Sequence, residues 1–222
     1  MNSSIPHALL ILALFALPGA VIAESELPEI SLEGLELAEK DRRGEIYADP
    51  DVDWTVYTKI QLDEATVAFR RNWQRDQNRF QSFKVRTQDM EKIKTNLSEL
   101  FGEVFTEELT TNGGYEIAEE AADHVMRIEP HIVDLDVYAP DTMNTSGINR
   151  SYTESAGRMT LKLRVYDSVT GDLIVAASDR REAPRRGYMQ WTSSVSNNAE
   201  ARRMLQRWAE GLRKRLDEAR GL

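Results

Sequence analysis

The chain has 222 residues, 41% of them hydrophobic and none of them cysteine, a length that suits one domain plus appendages. Its 28 basic and 37 acidic residues give a formal net charge of −9, the wrong sign for gripping a phosphate backbone, so nucleic acid is excluded as a main partner. The lack of cysteine excludes disulfides, thiolate zinc sites, iron–sulfur clusters, cysteine nucleophiles and lipid attachment through a lipobox.

Residues 1–23 read as a secretory signal. Ala8 to Leu17 is an unbroken apolar run, Pro18-Gly19 breaks it, and Val21-Ile22-Ala23 fits the small-residue cleavage rule. The rival reading is an uncleaved anchor, but the run is about half the roughly twenty residues that a spanning helix needs. No later segment could span. Cleavage near Ala23 would place the mature chain in the periplasm or outside the cell. Residues 24–53 are rich in Glu, Asp, Pro and Gly and poor in apolar periods, which predicts an acidic extended leader. Residues 24–44 read as a solvated tether, with Ile46-Tyr47 as candidates to dock on the domain that follows.

From residue 54 onward the chain reads as a single α+β domain. Tyr57 to Phe69 is strand-like: Ile60 and Leu62 are in one phase, Val67 and Phe69 in the other. A phase change without a turn predicts a bulge near 63–65. Arg70 to Arg86 has no clean period and reads as a long loop. Asp89 to Leu109 carries Ile93, Leu97, Leu100 and Val104 at helical spacing, with Thr87 as a cap and Asn112-Gly113-Gly114 as the stop. A short strand at 115–117 completes a strand–helix–strand crossover. His124 to Tyr138 is a longer strand whose phase slips after Pro130, so a bulge is expected at Pro130–Val133. That slip would put Arg127, Glu129, His131, Asp134 and Asp136 on one polar face. Tyr138 to Gly157 is Ser-, Thr- and Asn-rich and reads as a long loop, with its end, Ser151 to Ala156, a candidate extension of the next strand.

Arg158 to Asp179 is the strongest structural signal. Met159, Leu161, Leu163 and Val165 alternate with polar residues, Asp167 to Gly171 has turn chemistry, and Leu173 to Ala177 returns as a second strand. Ala199 to Ala219 is the clearest helix, with Met204, Leu205, Trp208, Leu212 and Leu216 in one apolar stripe. The expected architecture is a mixed sheet, β-α-β-β-β-β-α, with both helices on one face and Lys162 and Arg164 pairing with Asp134 and Asp136 on the other.

Several strings resemble a bacterial envelope family known only as a domain of unknown function, thirty-three thirteen. They are residues 52–79 (V-D-W-T-V-Y-T-K through W-Q-R-D-Q-N-R), A-P-D-T-M at 139–143, Y-D-S-V-T-G-D at 166–172 and R-G-Y-M-Q-W-T-S-S-V-S-N-N-A-E-A-R-R at 186–203. Many members of that family are lipoproteins; this chain departs in having no lipobox cysteine. The resemblance implies a fold similar to accessory domains of outer-membrane assembly lipoproteins, which bind other proteins. It supplies no activity.

No chemistry-bearing motif stands out. There is no Gly-x-Ser-x-Gly elbow, no phosphate loop and no dinucleotide fingerprint. His131 with Glu129, Asp134 and Asp136 could form a metal or acid–base cluster, but without a second histidine at ligand spacing the solvated strand face is favoured. No catalytic residue, metal or cofactor is assigned, and the basic stripe of the last helix reads as a solvated face. Two stretches share an unusual composition: Arg70, Arg71, Trp73, Arg75 and Arg79 after the first strand, and Arg181, Arg185, Arg186, Tyr188 and Trp191 after the last. If those strands are parallel neighbours, the two stretches converge. They would then form a binding surface, because arginine and aromatic side chains dominate interfaces, or pack on each other. The expected function is a non-enzymatic periplasmic adaptor for another envelope component, an envelope protein above all. The alternatives are a binder of an anionic glycan or lipid headgroup, and a hydrolase.

Overall fold

The computed structural model describes residues 32–80, 84–138, 151–153, 156–184, 190–192 and 194–222. The centre of the fold is the expected hairpin. Strands β8 (Gly157–Asp167) and β9 (Leu173–Glu182) are antiparallel, and their turn is held by Asp167, whose Oδ1 accepts from the Val169 and Thr170 amides at 2.9 and 2.8 Å. Met159, Leu161, Leu163 and Val165 are buried on one face, as the alternation requires.

The first correction concerns the leader. Glu36–Lys40 (β1) and Gly44–Ala48 (β2) form an antiparallel hairpin, and β2 pairs along β9. The Asp41 side chain closes the turn by accepting from the Arg43 and Gly44 amides at 2.7 and 3.0 Å. Glycine is required at 44: a Cβ there would sit 1.7 Å from the Ser178 carbonyl oxygen. Ile46 and Tyr47 do dock, opposite Ala177 and Ala176, and the tether expected up to residue 44 is instead the sheet edge from residue 36.

A one-turn 3-10 helix at Trp54–Val56, capped by Asp53, leads into β3 (Lys59–Leu62) and β4 (Thr66–Phe69). Both strands run parallel to β6 (Val125–Val137), and the expected break falls at 63–65. The break also accommodates Pro130. The Ile128 carbonyl accepts from the Asp63 amide, so Ile128 and, two residues on, Pro130 present their backbone nitrogens to this side. The proline therefore faces the gap between β3 and β4, where no ladder bond is lost. Pairing with β8 continues unbroken through Pro130, and the bulge lies further on, between Val133 and Asp136, where Asp134 adopts φ 52°.

The expected loop after β4 holds a helix, α1 (Trp73–Phe80). Helix α2 spans Thr87–Glu107 and ends in a π-turn at Glu108–Asn112 before Gly113 and Gly114. Its first turn is capped by Asp89, whose carboxylate accepts from the Arg86 amide at 2.8 Å, rather than by Thr87. Strand β5 (Glu116–Ile117) then pairs parallel to β3. The main sheet has the order β1-β2-β9-β8-β6-β3-β5, with β4 also on β6. Strands β7 (Ser151–Thr153) and β10 (Gln190–Thr192) form a separate antiparallel pair.

Helix α3 (Ser194–Arg220) closes the core. Leu205 is fully buried and Trp208 is 5% exposed, in one cluster with Phe101, Phe105 and the apolar face of β8. The fold is thus α+β, a mixed sheet with α2 and α3 packed on one face. Those two helices are also joined by Arg202–Glu103 at 3.0 Å and Arg213–Glu108 at 2.7 Å. Much of the basic stripe of α3 is therefore engaged in ion pairs rather than simply solvated. Leu212 is only half-buried, because it faces a cleft instead of solid core.

Candidate functional site

Among the described residues, the Arg/aromatic positions singled out from the sequence are spread over different parts of the fold. Trp73 is 1% exposed, stacks on Phe69 at 4.2 Å between ring centroids and donates its Nε1–H to the Val137 carbonyl at 3.1 Å. It belongs to the core. Arg70 is tied down by Asp76 at 2.8 Å and Asp136 at 3.0 Å. Arg71, Arg75 and Arg79 are exposed around α1, with Arg75 3.3 Å from Asp76. Arg185, Arg186 and Tyr188 lie outside the described residues. Trp191 lies in β10, its backbone opposite Tyr152. The first and last strands do run in the same direction, but they are not neighbours: β6 and β8 lie between β4 and β9.

Arg181 lands elsewhere, in the wall of a cleft of about 560 Å³. The cleft lies between the C-terminal half of α3 and the sheet edge formed by β2, β9 and β8. Its floor is the apolar face of the hairpin, Leu161, Leu163, Val165, Val175 and Ala177. Ile46 and Ala48 of β2, the Trp54 indole, and Trp208, Leu212 and Leu216 of α3 close the sides. The volume and apolar lining are those of a small-molecule or apolar-segment site.

The polar groups of this cleft gather at its rim. Asp179 accepts from the Trp208 Nε1–H at 2.7 Å and from Arg181 Nε at 2.9 Å, and Arg43 lies 3.9 Å away. The Arg181 guanidinium sits over the Trp208 ring at 5.7 Å, a cation–π distance. Arg43 also pairs with Asp41 at 2.9 Å, and Arg215 of α3 reaches across to Glu39 of β1 at 2.5 Å. The Glu39–Arg215 pair is the direct tie between the edge hairpin and the helix. Sequence reasoning missed this site because half of it comes from the supposed leader. The signals available were Ile46, apolar amid charge, and Gly211 inside the last helix.

The opposite face of the sheet carries a polar cluster. Glu129 lies beside Arg164 at 3.6 Å and His131 Nε2 at 3.4 Å, and it accepts from the Tyr166 hydroxyl at 3.2 Å. Arg127 pairs with Asp63 at 2.7 Å, and Arg158 with Asp136 at 3.0 Å. The cross-strand ion pairs are therefore Glu129–Arg164 and Asp136–Arg158, a correction of the expected Lys162 and Arg164 with Asp134 and Asp136. The true register pairs Lys162 with His131 and leaves Asp134 in the bulge. Among the described residues, no group of three or more His, Cys, Asp or Glu could hold a metal ion.

His131 is 5% exposed, with Nδ1 2.7 Å from the Thr66 hydroxyl. Burial pushes its imidazole below the ordinary value of 6.5, outweighing Glu129, and Arg164 and Lys162 act in the same direction as burial. A depressed folded pKa leaves the ring neutral in both states above 6.5. Below 6.5 the unfolded chain takes up a proton that the folded chain resists. Stability should therefore decline as pH falls from 6.5 toward 5, and His131→Asn should flatten that decline in urea titrations run across the window. An unchanged slope in the variant would show that other groups dominate.

Among solved structures, the chain is similar to a PelC variant from Paraburkholderia phytofirmans solved as a dodecamer, at 9% identity and TM-score 0.39, covering 77% of this chain and 95% of that one. A second PelC dodecamer from the same organism matches at 10% identity and TM-score 0.36, covering 77% and 96%. A Xanthomonas campestris protein of the DUF330 family matches at 12% identity and TM-score 0.35, covering 73% and 86%. No curated protein matches the chain. The family described as "Protein of unknown function (DUF3313)" matches residues 28–212, a range that takes in the β1–β2 hairpin, the cleft floor and most of α3, and the chain belongs to that family.

Proposed function

We propose that this protein is a non-enzymatic binding module of the bacterial cell envelope, exported through its N-terminal signal and acting as an adaptor that takes up the apolar part of another envelope component. The observation that supports this reading most is the cleft under α3. It is apolar in its depth, it is charged at its rim, and no histidine of the described residues lines it. His131 is on the other face of the sheet, and His124 is exposed and bonded to the Val56 carbonyl. A hydrolase would need a nucleophile and base in hydrogen-bond reach within such a cleft. Export is supported by the apolar run at 8–17 and the cleavage-like Val21-Ile22-Ala23. No helix among the described residues is long and apolar enough to cross a membrane.

The test uses the whole chain and a brominated alkyl glucoside below its micelle concentration. Trp54 and Trp208 line the cleft, so their emission should be quenched saturably. Gly211→Leu should remove the saturable part without lowering the melting temperature. Quenching that rises linearly, or that is the same in Gly211→Leu, would sink the reading.

A further inference from the structure

The cleft's shape and its charges point beyond a general apolar site. Its lining on α3 runs from Arg207 to Ala219, about 18 Å along the helix axis at ~1.5 Å per residue. A cleft of about 560 Å³ that follows the helix over this length has room for one extended chain. The walls are kept apart by small residues. Gly211 stands inside α3, where glycine lowers helix stability by about 1 kcal/mol relative to alanine. A Cβ at 211 would meet only the flexible end of Arg215, at 3.4 Å. Ala38, Gly44, Ala48, Ala177, Ser178 and Ala219 are the other small residues of the lining.

The rim charges are nearly all spoken for. Asp41 holds Arg43, Asp179 holds Arg181, Glu39 holds Arg215, and Glu45 holds Lys40 at 3.0 Å. Two charged lining residues, Arg207 and Glu218, make no side-chain ion pair or hydrogen bond among the described residues. They are eleven residues apart on one helix, about 16 Å. The cleft therefore offers an unopposed cation at the Trp208 end and an unopposed anion at the other.

Resting on the binding-module reading, we propose that the ligand is a straight-chain fatty carboxylate, its alkyl chain along Leu163, Val175, Leu212 and Leu216 and its carboxylate on Arg207. Arginine binds carboxylates with two parallel N–H donors. Glu218 repels a carboxylate and so disfavours the reverse orientation. An acyl chain in the cleft shares the apolar floor with Trp54 and Trp208, which makes binding visible by fluorescence.

The experiment compares dibromostearate, its methyl ester and the matching dibrominated alkylamine as quenchers of the whole chain. The carboxylate should bind about tenfold or more tighter than the ester, the worth of one charge-assisted hydrogen-bonded contact. Arg207→Gln should bring the carboxylate down to the ester's affinity without changing the melting temperature, and Gly211→Leu should abolish binding of both. Equal affinity of carboxylate and ester, or tighter binding of the amine, would overturn the anionic assignment while leaving the apolar cleft as the site. Failure of all three probes on the wild-type chain would overturn the binding-module reading itself. Undiminished binding in Gly211→Leu would place the ligand outside the cleft and overturn both.

Discussion

Phe105→Ala should lower the free energy of unfolding by about 3–5 kcal/mol, the cost of emptying a fully buried aromatic site. Phe105 is 0% exposed and stacks on Phe101 at 3.9 Å between centroids, with an interplanar angle of 18°. Both rings lie in the cluster that joins α2 to the sheet and to Leu205 and Trp208 of α3. Truncation removes the transfer energy of the ring and leaves a void that the stacked partner cannot fill without leaving its own packing. Urea unfolding monitored by far-UV circular dichroism gives the difference, and Glu99→Ala, at an exposed position of the same helix, should move stability by less than about 0.5 kcal/mol. A loss below about 1 kcal/mol for Phe105→Ala would mean that α2 is not packed where the cluster places it. Leu212→Ala should cost much less than a core leucine, since Leu212 already faces the cleft.

How much of this was legible in the sequence depends on where the information sits. The β8–β9 hairpin, α2 and α3 were readable because each writes its own period locally and buries one face. The break between β3 and β4 was readable for the same reason. Helix α1 was not: in W-Q-R-D-Q-N-R-F the helix is held by side chains bonding to distant backbone. Gln74 and Asn78 both donate to the Val85 carbonyl at 3.0 Å, and Gln77 donates to the Val137 carbonyl at 3.0 Å. No hydrophobic period records such contacts. The β1–β2 hairpin was hidden because charged residues of both signs crowd residues 36–48, while its stability comes from a ladder with β9, far along the chain. Its clues were single residues: Asp41 at the turn, Gly44 at the close approach, Ile46-Tyr47 against the sheet. The bulge lies beyond the position that Pro130 suggests, because the gap between β3 and β4 absorbs the proline and Asp134 makes the bulge.

The candidate site was legible only in one residue. Arg181 was singled out for its composition, and it does line the cleft, but through a local ion pair with Asp179 and the Trp208 ring rather than through Trp73 and Arg75. Composition counted arginines and aromatics without regard to which face of its element each occupies. Trp73 shows the cost of that omission. It begins α1 and turns inward onto Phe69, so an aromatic flanked by arginines in sequence is a core residue in space.

Asp136→Ala is the sharpest test of what those arginines do instead. Asp136 is 5% exposed, on the far side of the bulge from Val133. Its Oδ2 lies 3.0 Å from Arg70 Nε and 3.0 Å from Arg158 Nη2, so one carboxylate joins the end of β4 to the start of β8. Removing it leaves two guanidiniums facing each other with no counter-charge between them. Breaking a buried pair this way costs about 3–5 kcal/mol. The lower end of that range is expected here, because the arginine side chains are 27% and 35% exposed and Arg70 keeps Asp76 at 2.8 Å. The loss should fall when Arg158→Ala is added, since the second substitution removes the repulsion created by the first. It should also persist in high salt, which screens exposed pairs far more than buried ones. The strands also approach closely here: Gly157, at φ 142°, would place a Cβ 2.2 Å from the Asp136 carbonyl oxygen, so glycine is required at this position. If Asp136→Ala instead leaves stability within about 0.5 kcal/mol of wild type, the carboxylate is not the tie between β4 and β8.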